Sequence, residues 1–249
     1  MVTVKSSQEI EKIYRACQVV AETLLKARES LVPGVTTWDL DRIAEEYILS
    51  KGLKPAFKGY RGFKHTLCTS INEEVVHGIP SKKREILEGD LVSVDCGAIY
   101  EGYYGDSARS FAVGQVSEKV QKLLEVTQEA LARGIAQMKE GSRLYDIGAS
   151  VQNYAENHGF SVVRDYVGHG IGRQLHEDPQ IPNYGKAGTG MRLKPGMVFA
   201  IEPMLNAGLA ETKTLSDGWT VVTRDGQLSA HFEDTAVVGE KAPQILTHL

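Results

Sequence analysis

The sequence predicts a mixed α/β (α+β) protein that uses one structural plan twice. Three observations carry the prediction. Two segments of helical periodicity precede strand-like runs in the N-terminal part, and the same order returns in the C-terminal part. A constant offset of 107 residues maps Gly34 onto Gly141, Asp39 onto Asp146, Tyr47 onto Tyr154, Gly52 onto Gly159 and Gly89 onto Gly196. The same offset aligns Trp38 with Tyr145 and carries one acid, Asp95, onto another, Glu202.

Residues 7–30 repeat apolar side chains at helical spacing (Ile10, Ile13, Ala16, Val20, Leu24) and stop before Pro33-Gly34, which reads as a first helix. Residues 36–51 form the second, with Thr36 or Thr37 as N-cap, an apolar stripe through Leu40, Ala44 and Ile48, and Gly52 at the break. Short strand-like pieces follow at 66–71 and 74–77. Runs 91–99 and 103–113 then read as a hairpin around Tyr100-Glu101-Gly102. In the second half, 117–138 and 143–158 are the expected helices, and 197–205, 219–223 and 231–238 the expected strands. No Gly/Ser/Pro-rich linker separates residues 7–113 from 117–238, so the expectation is a single catalytic domain over 1–249 with two internal halves.

Composition limits the function classes. The chain has 249 residues, 42% hydrophobic and 24% charged, which argues against disorder and against a small disulfide scaffold. A net charge of −4 argues against a grip on nucleic acid through bulk positive charge. Lys82-Lys83-Arg84, the one compact basic run, reads as a solvated face. The apolar stretch 196–205 is too short to cross a bilayer, and residues 1–12 lack the apolar core of a secretion signal. Cys17, Cys68 and Cys96 are odd in number and lack close metal-ligand spacing, so reduced thiols in the cytoplasm are expected.

Four carboxylates stand where composition alone would place hydrophobes. With Tyr100-Glu101 as the loop, Asp95 faces Asp106 directly across the hairpin, and either register of that turn makes them neighbours on one face. Like charges so placed destabilise a sheet, so something cationic belongs between them. Glu202 lies in the apolar run Val198-Phe199-Ala200-Ile201-Glu202-Pro203-Met204, where an unpaired carboxylate carries a desolvation penalty. Glu233 sits in a second such run. His169, within Gly168-His169-Gly170-Ile171-Gly172, adds an imidazole among residues small enough for close backbone approach. Four carboxylates and one imidazole form the donor set of a two-metal site, suited to manganese, iron or cobalt and also compatible with zinc or magnesium. Two divalent cations offset the charge, and such a pair supports metal-assisted hydrolysis.

At this point the residues resemble a known family. The run from Phe63 to Pro80 containing His77, Asp95 with Asp106, Gly168 to Gly172, His176-Glu177-Asp178-Pro179, and Pro195-Gly196-Met197-Val198 leading to Ile201-Glu202-Pro203 are similar to methionine aminopeptidase of the short bacterial type (type I), over about residues 10–238. The resemblance implies a pita-bread fold, two pseudo-symmetric halves around a curved, mainly antiparallel sheet. It implies that Asp95 chelates one metal, Asp106 and Glu233 bridge both, and His169 with Glu202 complete the other shell. Glu202 then also shuttles a proton, His77 hydrogen-bonds near the scissile nitrogen, and His176 donates to the carbonyl oxygen. Phe57, Tyr60, Phe63, Cys68, Leu175 and Trp219 match the side-chain pocket, an apolar slot suited to a thioether.

The implied substrate is a peptide or nascent-chain N-terminus beginning with Met, with a small second residue. Association with ribosomes, a monomer, and neither nucleic acid nor membrane as partner complete the implied picture. Three positions depart from the familiar pattern: His231 stands for a glutamine, Asp234 for a histidine and Leu175 for an aromatic residue. His231 and Glu233 are expected on one strand face, which makes His231 an outer partner of the site or an extra ligand. Two alternatives share the fold. Proline-directed aminopeptidases or dipeptidases generally carry an additional N-terminal domain, whereas only 94 residues precede Asp95 here. A non-catalytic binding homologue is expected to have lost ligands or auxiliary histidines, and this chain keeps all seven. The longer enzyme type inserts a subdomain between the last two ligands, and Glu202 and Glu233 are only 31 apart.

Overall fold

The computed structural model describes residues 2–249. Its four helices, α1 Ser7–Glu29, α2 Thr37–Ser50, α3 Glu118–Ile135 and α4 Leu144–Asn157, lie inside the four segments whose periodicity marks them. Local chemistry sets their starts. The Ser6 hydroxyl accepts the Glu9 N–H while the Glu9 carboxylate takes the Ser6 N–H, and Thr36 and Asp39 make the same reciprocal pair. At the head of α4, Asp146 accepts the Arg143 N–H at 2.7 Å, so Asp39 and Asp146 close equivalent turns 107 residues apart. The isolated bridges Thr36↔Glu85 and Arg143↔Arg192 keep the same offset.

The strands build one nine-stranded sheet and two three-stranded ones. Along the main sheet the order is Lys54–Pro55, Leu91–Tyr100, Tyr103–Ala112, Glu233–Val237, Val198–Ile201, Gly168–Gly170 and Glu177–Ile181, with Leu67–Ile71 added on Leu91–Tyr100 and Gln244–Ile245 on Glu233–Val237. All its ladders are antiparallel, and the two halves join where Tyr103–Ala112 pairs with Glu233–Val237. The helices cover one face. Val92, Val94, Cys96 and Ala98 pack with Val20 and Leu24 of α1 and Leu40 and Ile48 of α2, while Phe199, Ile201 and Ala236 pack with Leu131, Ile135 and Ile147 of α3 and α4. Each such large side chain contributes about 1.5–3 kcal/mol when fully buried. By alternation Asp95, Ala200, Glu233 and Thr235 point to the opposite face, away from the helices.

Four expectations about strands need correction. The hairpin turns on Glu101 and Gly102, both at positive φ (47° and 80°), so Tyr100 pairs with Tyr103, Asp95 with Ala108 and Asp106 with Gly97. Two central residues of that kind match the right-handed twist of the flanking strands. Asp95 and Asp106 are therefore diagonal neighbours on one face, not directly opposed. Run 197–205 breaks at Glu202-Pro203 into Val198–Ile201 and Met204–Asn206, which belong to different sheets. Run 231–238 breaks at Phe232 into Ser229–His231 and Glu233–Val237, and run 219–223 shortens to Val221–Thr223. Lys54–Pro55, Gly168–Gly170 and Glu177–Ile181 are strands whose glycine, proline and charge content hid them.

Candidate metal centre

Five strand segments bring four acids and a histidine to the helix-free face. Asp95 and Asp106 come from the hairpin, Glu233 from the strand beside it, Glu202 from the break after Val198–Ile201, and His169 from Gly168–Gly170. His169 Nε2 is 3.8 Å from Asp106 Oδ2 and 3.5 Å from Glu202 Oε1. One donor atom each from Asp106, His169 and Glu233 lie within 4.8 Å of one another. Asp106, His169 and Glu233 are buried, and Asp95 is half-buried.

Among the described residues no lysine or arginine side chain pairs with these four carboxylates; their ion-pair partners are the histidines His169 and His231. Asp95 Oδ1, Asp106 Oδ1 and Glu233 Oε1 are buried with no hydrogen-bond partner. Burial lifts the Asp95 carboxyl to about 7 and drives Asp106, Glu202 and Glu233 well above the usual carboxylate range, with the charge of Asp95 adding to each. Orphaned acid oxygens converging without a cation fit bound divalent metal, which satisfies the oxygens and neutralises the charge.

The glycines beside His169 are required by packing. A Cβ at Gly168 would stand 2.5 Å from the Ala200 carbonyl oxygen, and one at Gly170 2.2 Å from that of Asp178. His169 Nδ1 lies 3.0 Å from the Gly170 carbonyl oxygen. An N–H donated there leaves the Nε2 lone pair facing Asp106 and Glu202, the arrangement a metal-binding imidazole takes. Burial holds this ring neutral, pushing it down to about 3.

His77 has a left-handed backbone (φ 61°), and its ring meets Tyr166 and Trp219 at 5.6 and 6.2 Å. Burial lowers it to about 4. His176 is exposed, 4.3 Å ring to ring from His169, with the Tyr60 hydroxyl 2.8 Å from its Nδ1. A cavity of about 160 Å³ joins these parts: the four acids and His169, both auxiliary histidines, and Phe57, Tyr60, Phe63, Cys68, Leu175 and Trp219 all line it. Trp219 stacks edge-on against Phe63 at 5.0 Å. A larger groove of about 810 Å³ on the helical side contains none of these residues.

Sequence reasoning missed Arg61 and Val76 in the cavity wall and Arg109 behind it. Arg109 donates to the Glu233 carbonyl and, at 2.5 Å, to Asp234, clamping the strand that carries Glu233. A lone cation between Ala108 and Ser110 in a small-residue strand was the available signal. Asp234 points to the helical side and also accepts from Thr247 (2.5 Å) and His248 (3.3 Å), so it does not enter the cavity. His231, on a separate strand from Glu233, still brings Nε2 to 4.0 Å from both Glu202 Oε2 and Glu233 Oε2.

Residues 11–240 match the profile of Metallopeptidase family M24. The chain is 53% identical over 247 residues to the methionine aminopeptidase of Clostridium acetobutylicum, covering 99% of both. It superposes on the crystal structure of methionine aminopeptidase from Thermotoga maritima with a TM-score of 0.99, 48% identity and full coverage of both chains. The prolidase from Pyrococcus furiosus shares the fold at a TM-score of 0.78 and 27% identity, but this chain covers only 65% of it. The fold of these neighbours is the pita-bread fold.

Proposed function

The chain belongs to metallopeptidase family M24, and from that premise we infer that it is a metal-dependent methionine aminopeptidase, a hydrolase removing the N-terminal methionine from peptides and proteins. One observation carries the reading to the residues: a single cavity is bounded both by the carboxylate cluster and by an apolar wall. The two halves act as one catalytic unit, since both contribute acids to that cavity.

Asp95, Asp106, His169, Glu202 and Glu233 would together hold the divalent cations, with Asp106 and Glu233 placed between the Asp95 side and the His169–Glu202 side of the cluster. When bound, the cations supply Lewis-acid polarisation of the scissile carbonyl, a water of lowered pKa, and on the Asp95 side an anchor for the free amine. Glu202 takes the proton of the attacking water and delivers it to the departing amine. His176 donates to the carbonyl oxygen as charge builds on it, an oxyanion-type role. His77 steadies the scissile nitrogen. Phe57, Tyr60, Phe63, Cys68, Leu175 and Trp219 seat the methionine side chain, whose thioether gains sulfur–aromatic contacts.

In finer detail the metals are manganese, iron or cobalt, with zinc and magnesium compatible with the donor set. The substrate pool is nascent chains with a small second residue, met at the ribosome in the cytoplasm by a monomer, in keeping with three buried free thiols. Proline-directed cleavage is the competing activity of this fold. A Met-Ala-Ser peptide set against an Ala-Pro peptide separates them: methionine release from the first alone supports this function, and cleavage of the second contradicts it.

A further inference from the structure

The geometry points to His231 as an additional protein ligand of the centre, a second imidazole on the cation held by Glu202. The inference rests on reading the centre as a divalent-metal site. His231 is 1% exposed, and its Nε2 is a buried polar atom with no hydrogen-bond partner. Natural cores rarely leave such an atom unpaired. What faces it is carboxylate: Glu202 Oε2 and Glu233 Oε2, each at 4.0 Å. That spacing is too long for a hydrogen bond. It matches the reach between two donors on one ion, whose bonds to nitrogen and oxygen are about 2.0–2.2 Å each.

The surroundings of Glu202 make the same point. Its Oε1 faces His169 Nε2 at 3.5 Å and its Oε2 faces His231 Nε2, so each oxygen of one carboxylate looks at an imidazole nitrogen. The His231 backbone is fixed from behind. Its N–H donates to the Ser110 hydroxyl oxygen at 2.8 Å, and its carbonyl accepts from the same hydroxyl at 2.9 Å. Ser110 Oγ in turn lies 2.7 Å from Ser93 Oγ. A ring so anchored keeps Nε2 aimed at the acids. A second nitrogen donor also shifts the site along the ligand-softness scale, favouring cobalt and zinc over manganese.

The test uses the full chain with ring-¹⁵N-labelled histidine, stripped of metal and titrated with Zn(II), read by long-range ¹H–¹⁵N spectra. The expected result is two metal-bound imidazole nitrogens in the wild-type protein and one in His231→Gln, the missing one identifying His231. Calorimetry on both proteins with Co(II) and Mn(II) adds affinity: His231→Gln is expected to lose tenfold or more for Co(II), within the roughly 10–100-fold range for a lost supporting group, and under threefold for Mn(II). A single metal-bound imidazole in the wild-type protein overturns the inference, whether or not the variant folds. So does an equal loss for both metals. Neither result touches the aminopeptidase reading, which stands or falls on methionine release.

Discussion

The Tyr60 hydroxyl lies 2.8 Å from Nδ1 of His176, so one residue of the cavity's apolar wall also orients the imidazole to which we assign the substrate oxygen. A hydroxyl donating to Nδ1 puts the ring proton on Nε2, the nitrogen free to donate. Tyr60→Phe keeps the slot's ring and removes that bond. A neutral hydrogen bond is worth about 1 kcal/mol, so kcat is expected to fall roughly fivefold with KM nearly unchanged. Steady-state kinetics on Met-Ala-Ser check this, and an unaltered kcat contradicts the orienting role.

The groups assigned to proton transfer and to oxyanion stabilisation have larger expected effects. Glu202→Gln removes a base and a ligand together, so turnover is expected to vanish while the circular dichroism spectrum stays native. His176→Ala is expected to cost roughly 10²–10³ in kcat if its donor stabilises developing charge. Near-wild-type turnover in either variant removes that residue from the mechanism.

Trp219 closes the slot against Phe63 at 5.0 Å. Trp219→Ala opens that wall, and losing about 1.4 kcal/mol of side-chain binding raises KM for Met-Ala-Ser roughly tenfold. A variant with unchanged KM places the methionine side chain elsewhere.

Metal binding is expected to release protons. Burial sets the Asp95 carboxyl at about 7, so in the metal-free protein it is largely protonated below that pH, and a cation must displace the proton. His169 and His231, at about 3, and His77, at about 4, are already neutral and release none near neutrality. Apparent affinity therefore weakens as pH falls from 8 to 6. Calorimetry at pH 6 in two buffers of different ionisation enthalpy should show at least about one proton released per chain. Buffer-independent heats refute it.

Periodicity and spacing made the helices and the doubled plan legible, because a helix shows its buried stripe directly. Offset identities at Gly34, Gly52 and Gly89 correspond to positive-φ positions repeated at Gly141, Gly159 and Gly196. The acids were legible because a charge within an apolar run is costly unless something answers it. Register was not legible. Whether Tyr100 belongs to the loop or the strand depends on Glu101 adopting positive φ, a conformation a glutamate seldom takes. The strand holding His169 was hidden because its glycines serve close packing against Ala200 and Asp178, contacts far away in sequence. Arg109 was overlooked because its partners, Glu233 and Asp234, lie more than a hundred residues on.

The most direct measurement strips the protein with chelator, restores Mn(II) or Co(II) stepwise, and follows bound metal and methionine release from Met-Ala-Ser on the same sample. The expected outcome is that activity is absent after stripping and returns in proportion to metal bound, and that Asp106→Asn loses both binding and activity. Full turnover from the stripped protein, or unimpaired turnover of Asp106→Asn, contradicts a centre built on these carboxylates.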